Sequence, residues 1–181
     1  MVQTLRAFLA IAPPHEVRHA LVDQLRELDV PGRLVPAANL HLTLRFLGDV
    51  DQVALDRFSA SIDQAERGDS FIISLTGLGS FPSPRKATVL WARVGKGERA
   101  LYELAEIAES GATASGLTAE ERPFAPHLTI SRVRPPRDVV GLVNDTELDI
   151  SWRVSELVLF ESVMKKGSVS YEPLEVFPLI R

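Results

Sequence analysis

Hydrophobic residues along this chain recur at two spacings, one typical of helices and one typical of strands. Apolar residues three or four positions apart form one face of each predicted helix, and short alternating or continuous apolar runs form the predicted strands. The predicted helices are residues 14–28, 51–67, 97–110 and a short one at 139–143, and the predicted strands are residues 5–12, 40–47, 71–75, 87–94, 127–133, 154–160 and 171–179.

Capping residues and glycines set the expected ends of several elements. Gly48 should end the strand before it, and Asp51 should cap the helix that follows. The small residues at 111–116 should break the third long helix.

The order of these elements favours an α+β fold. Two segments, 86 residues apart, each contain a His-x-Thr strand followed by a helix and further strands, which indicates a weak internal duplication. We therefore expect one two-lobed domain over residues 1–181, with two facing antiparallel sheets, helices on the outside, a central cleft and pseudo-twofold symmetry.

Composition limits the class of protein. Of the 181 residues, 45% are hydrophobic, which is enough for one ordinary core. A net charge of −4 argues against a general binder of duplex DNA, so any contact with nucleic acid should be local. Cysteine is absent, and the apolar run before Pro13 is too short for a cleavable signal or a membrane span. We expect a cytoplasmic protein with no membrane partner.

Two of the predicted strands carry the same polar pair. One is His41-Leu-Thr43 and the other is His127-Leu-Thr129. With four histidines and eight threonines in the chain, only about 0.2 His-x-Thr triplets are expected by chance. Residues i and i+2 of a strand project from one face, so each imidazole lies beside its hydroxyl. Two such strands side by side would bring both pairs around a volume that fits a phosphate.

This residue set suits phosphodiester chemistry without a metal. One neutral and one protonated histidine can remove a proton from the attacking oxygen and give one to the leaving oxygen near neutral pH. The threonine hydroxyls can donate hydrogen bonds to phosphate oxygens. No metal site is expected, because the sequence has no carboxylate or histidine cluster at ligand spacing. A lone His-x-Thr strand is more often structural, but its repetition favours a catalytic function.

The two motifs resemble those of the two-histidine phosphoesterase superfamily. Within it, the chain is similar to the bacterial and archaeal RNA 2',3'-cyclic phosphodiesterases, also called LigT-like 2'-5' RNA ligases. The resemblance extends from Arg6 nearly to the end of the chain and is carried by residues 41–49, 79–82, 89–91 and 126–132.

The resemblance implies a bilobal fold and hydrolysis of 2',3'-cyclic phosphate RNA ends to 2'-phosphomonoesters, with reversible 2'-5' ligation and no cofactor. His41 would protonate the leaving 3' oxygen and His127 would activate water, while Thr43 and Thr129 would hold the phosphate. Arg132 matches an arginine that follows the second motif of the family.

Strict alternation of side chains along the strand disagrees with the role that the resemblance implies for Arg132. It places Arg45 on the face of His41 and Arg132 on the face opposite to His127. A bulge near Ser131 would bring Arg132 to the cleft, and without one Arg45 is the better phosphate-binding cation. Aromatic residues that could stack on a terminal base are Phe46, Phe81, Trp91 and Phe124, although alternation points Phe46 inward.

Other functions remain open at this point. The same four residues would serve a phosphodiesterase acting on ADP-ribose 1'',2''-cyclic phosphate or on 2'-5' oligoadenylate. A noncatalytic module that grips RNA ends or nucleotides is a third possibility. The expected partners are RNA with 2',3'-cyclic phosphate ends, tRNA fragments or nucleotides, and the chain is expected to be a monomer.

Overall fold

Antiparallel strands dominate the fold. Within residues 4–180, the part of the chain that the computed structural model describes, nine strands form one curled sheet. The strands are β1 (Thr4–Ile11), β2 (Arg33–Leu34), β3 (Leu42–Asp51), β4 (Phe71–Phe81), β5 (Ala87–Val94), β6 (His127–Arg137), β7 (Glu147–Val154), β8 (Glu156–Lys165) and β9 (Ser168–Pro178), and the helices are α1 (His15–Glu27), α2 (Gln52–Gln64), α3 (Glu98–Ala114) and α4 (Val140–Asp145).

The sheet consists of two halves of four strands. Their order is β7-β4-β5-β6 followed by β3-β1-β8-β9, with the short β2 paired to β6. The halves meet where β3 lies beside β6, at the pair Leu42 and Leu128. The expected α+β class, the antiparallel strands and the duplicated halves are confirmed. The two expected sheets are continuous through this junction and do not form separate layers.

The duplication consists of a strand, a helix and a motif strand. In one half, β1 and its neighbour β3 are connected through α1, and in the other β5 and its neighbour β6 are connected through α3. Each connecting helix packs against the opposite half, α1 against β7 and α3 against β3. The helices therefore hold the halves in a fixed relation at the junction of the motif strands.

Several element boundaries differ from the prediction. Asp51 caps α2 as expected, because its carboxylate accepts a hydrogen bond from the Ala54 amide at 2.8 Å. However, β3 continues past Gly48 to Asp51, so the strand end predicted there is wrong. Helix α3 also continues past Gly111 to Ala114, so the break predicted at 111 is wrong. Gly111 lies against α2, where a Cβ would be 3.0 Å from Ser61 Oγ, so this small residue allows close helix packing and does not end the helix.

Strands β2 and β7 were not predicted from the sequence. Strand β7 has a regular alternation in which Leu148, Ile150, Trp152 and Val154 are buried and the residues between them are exposed. The predicted strand at 154–160 covers only the end of β7 and the first half of β8.

Within residues 4–180, none of the helices combines the length and the apolar character needed to span a membrane.

Candidate active site

The two His-x-Thr motifs meet at the junction of the half-sheets. Strands β3 and β6 are antiparallel and Leu42 pairs with Leu128, the central residue of each motif. This register puts each histidine beside the threonine of the other motif, and it makes the two histidines diagonal neighbours with backbones about 7–8 Å apart. The central leucines are buried, whereas the histidines and threonines are partly exposed on the other face.

The two imidazoles are oriented in the same way. His41 Nδ1 lies 2.7 Å from the carbonyl oxygen of Asn39, and His127 Nδ1 lies 2.7 Å from that of Ala125. A carbonyl oxygen only accepts hydrogen bonds, so Nδ1 carries a proton and donates in both rings. Nε2 of each ring is thereby left to donate or accept a proton according to its charge.

A bulge in β3 follows directly after the first motif. Thr43 pairs with Ala10 of β1. The next ladder pair joins Arg45 to Leu9, which leaves Leu44 as an extra residue. A single extra residue reverses the alternation of side chains beyond it. Arg45 therefore lies on the face opposite to Thr43.

Strand β6 has a bulge at the equivalent position. Thr129 pairs with Trp91 of β5. Ser131 then pairs with Leu90, so Ile130 is the extra residue. The bulge falls three residues after the histidine in both motifs. The bulge considered near Ser131 in the sequence is therefore present. Beyond it, the side chain of Arg132 lies on the same face as that of His127.

The proposal of Arg45 as a phosphate-binding residue is wrong. Its side chain is only 9% exposed and forms an ion pair with Glu109 of α3. It also donates hydrogen bonds to the carbonyl oxygens of Phe46 and Thr118. These contacts are on the helix side of the sheet, so Arg45 ties β3 to α3 and its neighbouring loop.

The fifth residue after each histidine faces the cleft. In the first motif this residue is Phe46, which is 57% exposed, although strict alternation predicts that it points inward. Its ring lies 5.7 Å from that of Phe8. In the second motif the residue is Arg132, whose exposed positive charge acts on His41. The duplication thus places an aromatic ring on one side and a cation on the other.

His41 is packed among aromatic rings. Its ring centroid lies 4.9 Å from that of Phe8 and 5.0 Å from that of Tyr171. Burial lowers the pKa of His41 below its ordinary value of 6.5, and the hydrogen bond to Asn39 opposes this effect. The charges of His127 and Arg132 lower that pKa further. The positive charges of the second motif thus disfavour the protonated form of His41.

His127 lies in the other half-sheet, beside two aromatic rings of its own. Its ring is 5.3 Å from Phe81 and 6.0 Å from Trp91, edge-on to both. Phe81 is 39% exposed and offers a surface for a base, whereas Trp91 covers Gly79, where any Cβ would clash with the indole. Phe124 packs against Tyr102 of α3 and does not join this group.

A cavity of about 370 Å³ opens beside His41. Its lining includes Phe160, Tyr171 and Val176 from the β8–β9 hairpin, together with Arg18 and Glu156. A cavity of this size and mixed lining can hold a nucleoside.

The residues that the structure describes contain no group of three or more histidine and carboxylate side chains placed to bind a metal ion.

A curled antiparallel sheet with paired His-x-Thr motifs at its centre defines the chain as a two-histidine phosphoesterase. The family model described as the 2'-5' RNA ligase superfamily matches residues 13–164. The chain belongs to this superfamily.

Curated relatives match the chain over nearly its whole length. The chain is 34% identical to the RNA 2',3'-cyclic phosphodiesterase of Methanothermobacter thermautotrophicus, with 97% of this chain and 99% of the relative covered. It is 32% identical to the protein of the same name from Escherichia coli K12, with 99% of each covered.

Solved structures agree with this assignment. Escherichia coli LigT complexed with 3'-AMP superposes with a TM-score of 0.81 at 30% identity, covering 98% of this chain and 99% of LigT. The protein TT0787 of Thermus thermophilus superposes with a TM-score of 0.79 at 29% identity, covering 97% of this chain and 98% of TT0787.

Proposed function

We propose that this chain is an RNA 2',3'-cyclic phosphodiesterase that hydrolyses cyclic phosphate ends to 2'-phosphomonoesters, using His41 and His127 as acid and base. The observation that carries the proposal is the pair of equivalent imidazoles at the junction of the half-sheets, each with Nδ1 fixed on a carbonyl oxygen. The names of the full-length relatives support the substrate class.

The geometry suggests how the proton transfers divide. Nε2 of neutral His127 takes a proton from water as the water oxygen bonds to phosphorus. The bond from phosphorus to the 3' oxygen breaks on the opposite side, and Nε2–H of protonated His41 supplies that oxygen with its proton. Two groups on either side of a phosphate suit an in-line displacement. When the 5' hydroxyl of a second RNA replaces water, the same two proton transfers form a 2'-5' phosphodiester. The histidines exchange roles only when this ligation is reversed, because the 3' hydroxyl then attacks phosphorus and the 5' oxygen leaves.

The remaining polar groups stabilise the phosphate. The hydroxyls of Thr43 and Thr129 face the same side as the histidines and can donate hydrogen bonds to the non-bridging oxygens. The guanidinium of Arg132 adds a positive charge where negative charge develops in the transition state. We further propose that the enzyme acts as a monomer, because both motifs of the site come from one chain, and that it works in the cytoplasm.

Turnover of a 2',3'-cyclic dinucleotide by the purified protein tests the proposal. The expected product is the 2'-phosphate, identified by phosphorus NMR, and turnover should be lost in His41→Ala. His19→Ala is the matched control, because His19 is an exposed histidine on α1, outside the site. Binding without turnover would instead indicate a noncatalytic RNA-end module. Faster turnover of 2'-5' oligoadenylate or of ADP-ribose 1'',2''-cyclic phosphate would reassign the substrate.

A further inference from the structure

Exposed cations are concentrated beside the second motif. We define the cationic strip as five residues on β2, on the turn before β5 and on the far end of β6. None of the segments 33–34, 84–86 and 133–137 contains a carboxylate, although the whole chain has a net charge of −4. The members of the cationic strip are Arg33, Arg85, Lys86, Arg134 and Arg137, all exposed.

Strand pairing makes the cationic strip continuous with the candidate site. Arg33 pairs directly with Arg132 across β2 and β6. Arg137 pairs with Ala87, the residue that follows Lys86. Between Arg132 and Arg137, β6 has more residues than the stretch of β5 that pairs with it. The segment that contains Arg134 therefore bulges out of the ladder. Positive charge thus extends outward from the proposed phosphate contact.

The cations of the cationic strip have no ion-pair partner in the described part of the chain, although Asp138 follows Arg137 directly. Among the contacts within residues 4–180, no side chain of the cationic strip forms an ion pair or a hydrogen bond. Clustered like charges repel each other, and this repulsion is relieved when a polyanion binds.

The first half-sheet carries exposed lysines on a different element, the β8–β9 hairpin. The tip of the β8–β9 hairpin, held near His41 by the hydrogen bond from Asn39 to the Val169 carbonyl, carries Lys165 and Lys166. Lys165 is already paired with Glu172. Within the described residues the hairpin tip thus offers a polyanion one cation without an ion pair, Lys166, whereas the cationic strip offers five.

We propose that the cationic strip binds the sugar-phosphate backbone of the RNA strand upstream of its cyclic end. This inference rests on the proposed function, because it assigns the path of a longer substrate away from the same site. The cationic strip contributes nothing to a mononucleotide, which has no upstream phosphates. It makes the enzyme prefer a cyclic end on a chain over the same end on a single nucleotide.

The test compares two substrates in matched variants. One substrate is a 2',3'-cyclic mononucleotide, and the other is an oligoribonucleotide of about ten residues with the same cyclic end. Arg85→Gln/Lys86→Gln should lower kcat/KM for the oligomer roughly five- to tenfold at low salt and leave the mononucleotide unchanged. It should also reduce the salt dependence of the oligomer, with a slope smaller by about 0.7 for each phosphate that is no longer neutralised. Lys165→Gln/Lys166→Gln removes the same charge from the other half and should leave both substrates unchanged.

Three results would overturn the proposal: an equal effect on both substrates, no effect on the oligomer, or an equal reduction in the hairpin variant. Fluorescence anisotropy measures binding of an oligomer that ends in a 3' hydroxyl, which the enzyme cannot hydrolyse. This measurement distinguishes failure of the cationic-strip proposal from failure of the proposed function. Weaker binding in Arg85→Gln/Lys86→Gln supports the cationic strip even if the wild-type protein hydrolyses neither substrate, and unchanged binding contradicts it.

Discussion

The two motif halves share the geometry of proton transfer and differ in the side chains that surround the histidines. Both histidines donate Nδ1–H to the carbonyl two residues earlier, and both strands have a bulge three residues later. His41, however, is enclosed by Phe8 and Tyr171, and its half presents Phe46 where the other presents Arg132. A symmetric fold thus provides an asymmetric site, in which the two histidines have different surroundings.

The environment of His41 has a consequence for its protonation. Because burial and the nearby cations lower its pKa, the neutral form prevails at neutral pH in the free protein. A donor must be protonated, so the donor-ready form is a minority until an anionic phosphate binds between the rings and raises the pKa. Binding of substrate thereby prepares the acid.

Removal of either histidine should produce the largest effect. We expect His41→Ala and His127→Ala each to lower kcat about 10²- to 10⁴-fold, the usual contribution of a positioned acid or base. The double variant should be little worse than the poorer single variant, because the two groups act in one step. Steady-state kinetics on a cyclic dinucleotide check this. Losses that multiply would show that the histidines act independently.

The two arginines near the motifs should respond in opposite ways. Arg132→Gln should lower kcat/KM about 10- to 100-fold, because a charged group no longer binds the phosphate, with little change in thermal stability. Arg45→Ala should instead destabilise the fold by about 2–3 kcal/mol, less than for a fully buried pair because Glu109 is 33% exposed. Denaturant unfolding alongside kinetics separates them. A kinetic defect in stable Arg45→Ala would return that residue to the site.

The threonines should contribute less than the charged groups. Thr43→Ala and Thr129→Ala each remove one phosphate hydrogen bond and should lower kcat/KM roughly 3- to 15-fold. Neither removes a titrating group, so both should retain the shape of the pH–rate profile. A limb that disappears in either variant would mean that the hydroxyl positions a histidine.

Chelation should have the smallest effect. Treatment with EDTA should leave hydrolysis of a cyclic end unchanged, since the two histidines supply both proton transfers and no metal is required for either. Rates before and after dialysis against EDTA measure this directly. Strict dependence on an added divalent ion would contradict the acid–base assignment.

The sequence predicted the placement of the two His-x-Thr pairs better than the orientation of the residues that follow them. The repeated His-Leu-Thr triplet was sufficient to expect two converging pairs, because alternation holds within three residues of a strand. Alternation failed beyond the triplet, where one extra residue in each strand reverses the faces and exchanges the roles expected for Arg45 and Phe46. A bulge depends on pairing with the neighbouring strand, which a single sequence does not contain. Alignment of the two motifs would have matched Phe46 with Arg132 and suggested that they share a face.

The most direct test of the assignment of His41 as acid and His127 as base is the pH dependence of kcat/KM in the single variants, with a 2',3'-cyclic dinucleotide as substrate. The wild-type profile should be a bell. In His127→Ala only the acid remains, so the residual rate should fall as pH rises through the pKa of His41, at a midpoint below 6.5. In His41→Ala only the base remains, so the residual rate should rise with pH and level off. A rising profile in His127→Ala and a falling one in His41→Ala would mean that the two histidines have the opposite roles. A bell that is unchanged in both variants would contradict the assignment of these histidines as acid and base.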